Sequence, residues 1–146
     1  MSSKVYIGID PDVDYSGVAT WHKNKLDLHN MSFFELFDFL KMTKEGAQYT
    51  GEKIIVRIEA GWLNKKSNWH NEKAGVGVAA KIGLSTGANH EAGRKIVEMC
   101  KYLGLEYDLC VPKSSKIKKE EFRKITGWAS RSNQEQRDAA MLIYGF

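Results

Sequence analysis

Cysteine is nearly absent from this chain: Cys100 and Cys110 are the only two, and they form no CxxC pair. The four histidines are scattered as His22, His29, His70 and His90. A zinc cage needs clustered ligands and a disulfide framework needs several spaced cysteines, so neither is suggested. Both thiols are expected to pack as small hydrophobes in a reducing cytoplasm. Long apolar runs are missing too. No stretch approaches the roughly 18 residues of a membrane span, and the N-terminus lacks the apolar core of a signal peptide. The expectation is a soluble, cytoplasmic protein with no membrane partner. There is also no phosphate-binding loop. Gly75-Val76-Gly77-Val78-Ala79-Ala80 formally matches GxGxxA, but the preceding Asn71-Glu72-Lys73 is no strand, which a dinucleotide site requires.

What is present fits one domain over residues 1–146, with 42% hydrophobic residues to build its core. The formal charge of +4 is concentrated in one segment. Between residues 113 and 124, the six basic residues Lys113, Lys116, Lys118, Lys119, Arg123 and Lys124 face only Glu120 and Glu121, and the rest of the chain is neutral. A basic segment on a neutral body is the footprint expected of a polyanion partner such as nucleic acid. A solvated helix face with Lys/Glu pairs is an equally good reading of that segment alone.

Hydrophobic periodicity divides the chain into elements. Val5 to Asp10 reads as a strand, Tyr15 to His22 as its hairpin partner, and Lys25 to Asn30 as a third strand behind the Lys23-Asn24 turn. Ser32 can cap a helix through Glu35, with Phe33, Leu36, Phe37 and Leu40 as its apolar stripe. Lys53 to Glu59 suits a buried central strand. His90 to Leu103 is helical, with Ala92, Ile96, Met99 and Leu103 on one face and Gly104 as the stop. Leu105 to Val111 is a last strand, and the basic segment and Ser132 to Phe146 supply two more helices. This order describes an α/β sheet with an antiparallel edge. Residues 61 to 88 look irregular, holding Trp62, Trp69, Lys65, Lys66 and glycines at 61, 75, 77, 83 and 87. A loop of that length is usually functional or mobile, and the glycines read as flap hinges.

Acidic residues punctuate this pattern at three places. Asp10 ends the apolar run Ile7-Gly8-Ile9, Glu59 closes the most apolar strand, and Glu135 and Asp138 share one face of the last helix. Turn formation accounts for the neighbouring Asp12 and Asp14. Arg57 could pair with a nearby acid, which leaves a structural salt bridge open for Glu59. Glu135 has a rival role in the box Ser132-Asn133-Gln134-Glu135, where it would bond back to the cap residue. Two strand-end carboxylates and a helical pair are what a site for two divalent metals needs. Such ions, ~3.5–4 Å apart, clamp the attacking and leaving oxygens of a phosphodiester, and Mg²⁺ favours carboxylate oxygens. The residues therefore read as a metal-dependent nuclease.

Taken together, Ile7-Gly8-Ile9-Asp10-Pro11 with Ser16-Gly17, Ile58-Glu59 and Glu135-Gln136-Arg137-Asp138-Ala139-Ala140 resemble the RuvC-type Holliday-junction resolvases. The resemblance implies a ribonuclease H-like mixed five-stranded sheet, three strands antiparallel and two parallel, flanked by helices. It also implies Asp10, Glu59, Glu135 and Asp138 as ligands of two Mg²⁺ ions, with Mn²⁺ able to substitute and no other small-molecule cofactor. Four-way DNA junctions would be the substrate, nicked symmetrically by a homodimer. Trp62, three residues after Glu59, would insert at the exchange point, while Lys65, Lys66, Lys113, Lys116, Lys118 and Lys119 would track DNA. Lys116 or Lys119 would neutralise charge at the cut phosphate. The chain departs from the family in having Glu rather than Asp at 135, an apparent insertion over 71–80, and lysines where a glycine-rich tract usually follows the proline. Rival readings are a ribonuclease H-like nuclease acting on RNA or other branched DNA, a non-catalytic DNA-binding module, and a fragment of the actin-like ATPase fold, which also opens with an Ile-Gly-Ile-Asp strand.

Overall fold

Strict alternation in the first strand sets the layers. In β1 (Lys4–Asp10), Ile7 and Ile9 are fully buried on one face of the sheet, while Tyr6 and Gly8 pack toward the other. The computed structural model describes residues 3–63 and 76–146, and for residues 76–82 the backbone alone. Lys65, Lys66, Trp69 and Gly75 lie outside the described residues.

β1 is followed by β2 (Ser16–His22) and β3 (Lys25–Met31) in an antiparallel meander. Lys23 and Asn24 both take positive φ, of 51° and 61°, which gives a two-residue turn the twist that a tight hairpin needs. α1 (Phe33–Thr50) starts at the predicted box: Ser32 accepts from the Glu35 amide, and the Glu35 side chain accepts from the Ser32 amide. The chain then returns as β4 (Lys53–Glu59), parallel to β1, and later as β5 (Glu106–Cys110), parallel to β4. The resulting order, β3-β2-β1-β4-β5, with three antiparallel strands and two parallel additions, is the expected ribonuclease H-like arrangement.

Helices cover both faces. α1 and α2 (Val76–Leu103) pack with Ile7, Ile9, Val18, Val56 and Ile58 into the larger core, to which Leu36, Leu40, Ile96, Met99 and Leu103 contribute as their spacing predicted. Phe33 departs from that stripe and is 41% exposed. Cys100 is buried there and Cys110 is half-buried, both as free thiols. On the opposite face, α3 (Lys119–Thr126) and α4 (Gln134–Met141) close a smaller core of Ala19, Leu26, Phe122, Ala139, Ala140 and Ile143. Among the described residues, no helix is long and apolar enough to cross a membrane.

Two boundaries correct the sequence reading. The stretch taken as an irregular flap is helical from Val76 onward, so Gly77, Gly83 and Gly87 are helix-interior residues rather than hinges. Each glycine costs a helix up to about 1 kcal/mol relative to Ala, but the intervening alanines favour helix and the chain has no proline between Pro11 and Pro112. The last helix is shorter than expected. It ends at Met141, and turns carry Leu142 to Gly145 back over the sheet.

Candidate metal centre

Parallel pairing brings the first two acids together. β1 and β4 run side by side with Ile9 opposite Ile58, so Asp10 and Glu59 emerge as neighbours from the carboxyl ends of adjacent strands. The third acid arrives on α4, which lies directly on β1 and β2. Two glycines permit that close approach. A Cβ on Gly8 would lie 2.1 Å from the Ala139 carbonyl oxygen, and one on Gly17 would lie 2.3 Å from the Glu135 carbonyl. With no side chains in the way, α4 sits against the sheet and delivers Asp138 beside Asp10. Carboxylate oxygens of Asp10, Glu59 and Asp138 all fall within 4.8 Å of one another.

Glu135 is not part of this group of three, although its helix face is the predicted one. Its rival role is also set aside. The capping box is shifted by one residue: Asn133 accepts from the Gln136 amide at 2.8 Å, and the Gln136 side chain accepts from the Asn133 amide at 2.9 Å. Asn133 sits in extended backbone immediately before the helix, the position from which a cap side chain reaches the third amide. Glu135 is thereby relieved of the cap, and its backbone is what rests on Gly17.

Lys116 enters the acidic group directly. Its Nζ donates to Asp138 Oδ2 at 2.7 Å and lies 3.7 Å from Glu59 Oε1. Burial alone would lower its pKa, but the Asp138 hydrogen bond and the charges of Glu59, Asp138 and Asp10 raise it, so the ammonium is charged at neutral pH. Arg57, the partner sequence reading considered for Glu59, turns instead to Asp108, 3.6 Å away on β5. The register explains this, because Arg57 lies opposite Asp108 while Glu59 lies opposite Cys110.

Crowding shows in Asp10. Burial first, then the charge and hydrogen bonding of Glu59 and the charge of Asp138, push its carboxyl up to about 9, against the pull of Lys116. The other oxygen of Glu59, Oε2, is buried with no hydrogen-bond partner of ordinary geometry among the described residues. An orphaned buried carboxylate oxygen beside two more carboxylates is costly unless a proton or a cation serves it. The donor set is all oxygen, which fits Mg²⁺ or Mn²⁺ and not a thiol-seeking metal.

Several contributors were not singled out by sequence reasoning. Arg137 fastens the loop before α3 to α4: its guanidinium donates to the carbonyls of Ile117 and Ser132 at 3.1 and 2.8 Å. That anchor holds Lys116 in reach of Asp138. Gln134 donates to Asp138 Oδ1 at 2.9 Å and orients the carboxylate from its other side. A cleft of about 200 Å³ beside Asp10 and Glu59 is lined further by Trp62, Thr86, Asn89 and His90. Asn89 accepts from the Val13 amide at 3.0 Å, tying α2 to the turn after β1. Burial, then Arg94, lowers the His90 pKa. Thr86 lay in the stretch that read as a loop and Asn89 just before the predicted helix, so their place on α2 was hidden. Trp62, in the 3-10 turn Gly61–Leu63, is half-buried. It packs so tightly on Gly93 that a Cβ there would meet its Cζ3 at 2.3 Å, and the Arg94 guanidinium lies 5.7 Å from its ring. Lys113, Lys118 and Lys119 are exposed on or before α3, on the Lys116 side of the centre.

Comparison with known proteins gives similarities at the level of fold. The chain is similar to Thermus thermophilus RuvC solved in complex with a Holliday junction substrate, with 16% identity, a TM-score of 0.46, and coverage of 95% of this chain and 89% of the other. It is also similar to a second structure of Thermus thermophilus RuvC, with 15% identity, a TM-score of 0.41, and coverage of 94% and 90%. No protein-family model and no curated protein matches the sequence.

Proposed function

We propose that this protein is a metal-dependent endonuclease that resolves four-way DNA junctions by paired symmetric nicks. The observation that carries the nuclease reading is the convergence of Asp10, Glu59 and Asp138 within 4.8 Å. The choice of branched DNA rests on the resemblance of the sequence motifs and on the basic segment beside the centre.

Asp10, Glu59 and Asp138 would hold the divalent cations, with Glu135 as a further ligand from the same helix. Bound Mg²⁺ supplies Lewis acidity to a phosphoryl oxygen and a water acidic enough to act as nucleophile. The chain's own residues do the rest. Lys116 neutralises negative charge that develops on the phosphate in the transition state, and Arg137 and Gln134 keep Lys116 and Asp138 in register with each other. Lys113, Lys118 and Lys119 take neighbouring phosphates, together with Lys65 and Lys66. Trp62 would contact an unstacked base at the crossover. Cutting opposite strands requires two such centres, supplied by a homodimer.

The test is cleavage of a synthetic four-way junction, a matched duplex and an RNA–DNA hybrid, each with Mg²⁺ and with EDTA. The expected result is Mg²⁺-dependent conversion of the junction to two nicked duplexes, with the duplex uncut. Preferential cutting of the hybrid would assign the site to RNA, and binding without any cutting would reduce the protein to a DNA-binding module.

A further inference from the structure

Among the described residues, the sheet face that carries Asp10 and Glu59 is only partly covered. α4 lies over β1 and β2 and reaches β3. Over β4 and β5 that face opens into a groove of about 700 Å³, a size typical of sites that take a small molecule. Glu59, Lys116 and Asp138 line both this groove and the acidic centre, so the two are continuous.

The groove has an apolar wall and a cationic floor. Val111, Ile125, Met141 and Phe146 supply the wall, and Arg57, Lys113 and Lys116 supply positive charge. Once cations balance Glu59 and Asp138, the one remaining acid in the lining is Glu121. Arg57 is the central group. Its guanidinium lies 4.8 Å from the Phe146 ring centre, an arrangement that presents a flat stacking edge. Its Nη1 lies 3.6 Å from Asp108, and its Nε is buried with no hydrogen-bond acceptor of ordinary geometry among the described residues.

We infer that this groove is a subsite for one unpaired nucleotide of the strand being cut, next to the scissile phosphate, with its base against the Phe146 wall and an acceptor of that nucleotide on the Arg57 guanidinium. The inference rests on the nuclease reading above. Charge complementarity and continuity with the acids select nucleic acid over an apolar peptide. The width of the apolar wall selects an extruded nucleotide over a bare phosphate, since a flipped base is read by apolar and aromatic contact together with hydrogen bonds to its edge.

The test uses the full chain and four-way junctions in which the nucleotides flanking the cut are replaced one at a time by abasic nucleotides. At one flanking position, loss of the base should slow wild-type cleavage by roughly 5- to 150-fold, the range that ~1–3 kcal/mol of base stacking corresponds to. Arg57→Gln and, separately, Phe146→Ala should slow cleavage of the intact junction and shrink the abasic penalty at that same position. Equal rates on all abasic junctions, or an undiminished penalty in both variants, overturns the subsite. Variants that instead shift the monomer–dimer equilibrium, with no change in the abasic penalty, make the groove a contact between copies and overturn it too. Failure of the nuclease reading has a different signature, with no junction cut by the wild type. In that event, fluorescence anisotropy of the same junctions in EDTA decides. A Kd that depends on the flanking base and loses that dependence in Arg57→Gln supports the subsite, and a base-independent Kd rejects it.

Discussion

One face of the sheet is built in two opposite ways. Over β1 and β2 it is closed: Gly8 and Gly17 bring α4 into backbone contact, and Ala19, Ala139, Ala140 and Ile143 complete a dry core. Over β4 and β5 it is open and charged, with Lys53 facing Glu106 at 3.5 Å and Arg57 facing Asp108 at 3.6 Å. The exposed Lys53–Glu106 pair contributes only about 0–1 kcal/mol. The closed half supplies rigidity and the open half supplies access, and the three acids lie on the line between them. A metal centre needs both, because its ligands must be held to a fraction of an ångström while a polyanion reaches them.

The closed half should be the easier to break. Gly8→Ala or Gly17→Ala puts a methyl within 2.1 or 2.3 Å of α4 backbone, so the helix must lift. A loss of at least the ~1–3 kcal/mol typical of overpacking is expected, together with loss of cleavage as Asp138 leaves Asp10. Gly87→Ala is the control: nothing lies within 4 Å of its Cβ position in the helix, so it should stabilise by up to about 1 kcal/mol. Thermal melts of the three variants check this, and a neutral Gly8→Ala would remove the role assigned to helix contact.

At the boundary, Asp10→Asn and Asp138→Asn should abolish Mg²⁺-dependent cleavage and leave junction binding near normal or tighter, since neither touches the basic surface. Cleavage retained by either variant in Mg²⁺ or Mn²⁺ would rule out the ligand assignment. Glu135→Gln separates the fourth acid from the three that converge. Its cap is made by Asn133, so any loss of activity reports ligation rather than helix stability. Lys116→Met should slow cleavage by roughly 10²–10³-fold, the usual effect of removing one group that stabilises transition-state charge, with Mg²⁺ affinity unchanged or improved.

A smaller effect concerns pH. Asp10 is raised from 3.8 to about 9 in the folded protein, so between those values the folded state holds a proton that the unfolded state has lost. Metal-free stability is therefore full below pH 4 as far as this group is concerned, and falls as pH rises toward about 9. Asp10→Asn should flatten that part of a Tm-versus-pH curve, and Mg²⁺ should offset the loss at high pH. A slope unchanged by the substitution would mean that crowding of the three acids is not its source. The smallest expected effect lies on the open side. Replacing two of Lys113, Lys118 and Lys119 by Ala should flatten log K against log salt by about 0.9 for each phosphate no longer neutralised, and an unchanged slope would return these lysines to the role of a solvated face.

Much of this architecture is local and therefore legible in the chain. The apolar strands β1 and β4, the Ser32–Glu35 box, the Lys23-Asn24 turn and the Gly104 stop each depend on residues within a few positions of one another, and each is where the sequence places it. The acids at 10 and 59 stand out for the same reason, since each closes an apolar run, whereas Asp138 stands out only as one of a helical pair with Glu135. The start of α2 was not, because glycines interspersed with alanines satisfy helix and loop alike until the remainder of the helix is docked on β4 and α1.

By itself the sequence determined the strand and helix periods, the order of acids along the chain and the concentration of positive charge near its C-terminal end. Only the tertiary structure decided that Asp138 joins Asp10 and Glu59 while Glu135 stays outside the group. It also decided that Lys116 rather than Arg57 meets Glu59, and that the sheet face stays open over β5. The reason is one of range. Hydrophobic period and capping are written in contacts a few residues long, whereas Lys116 and Asp138 are 22 residues apart and Arg57 and Asp108 belong to different strands. Their pairing is set by strand register and by the two glycines that let α4 touch the sheet.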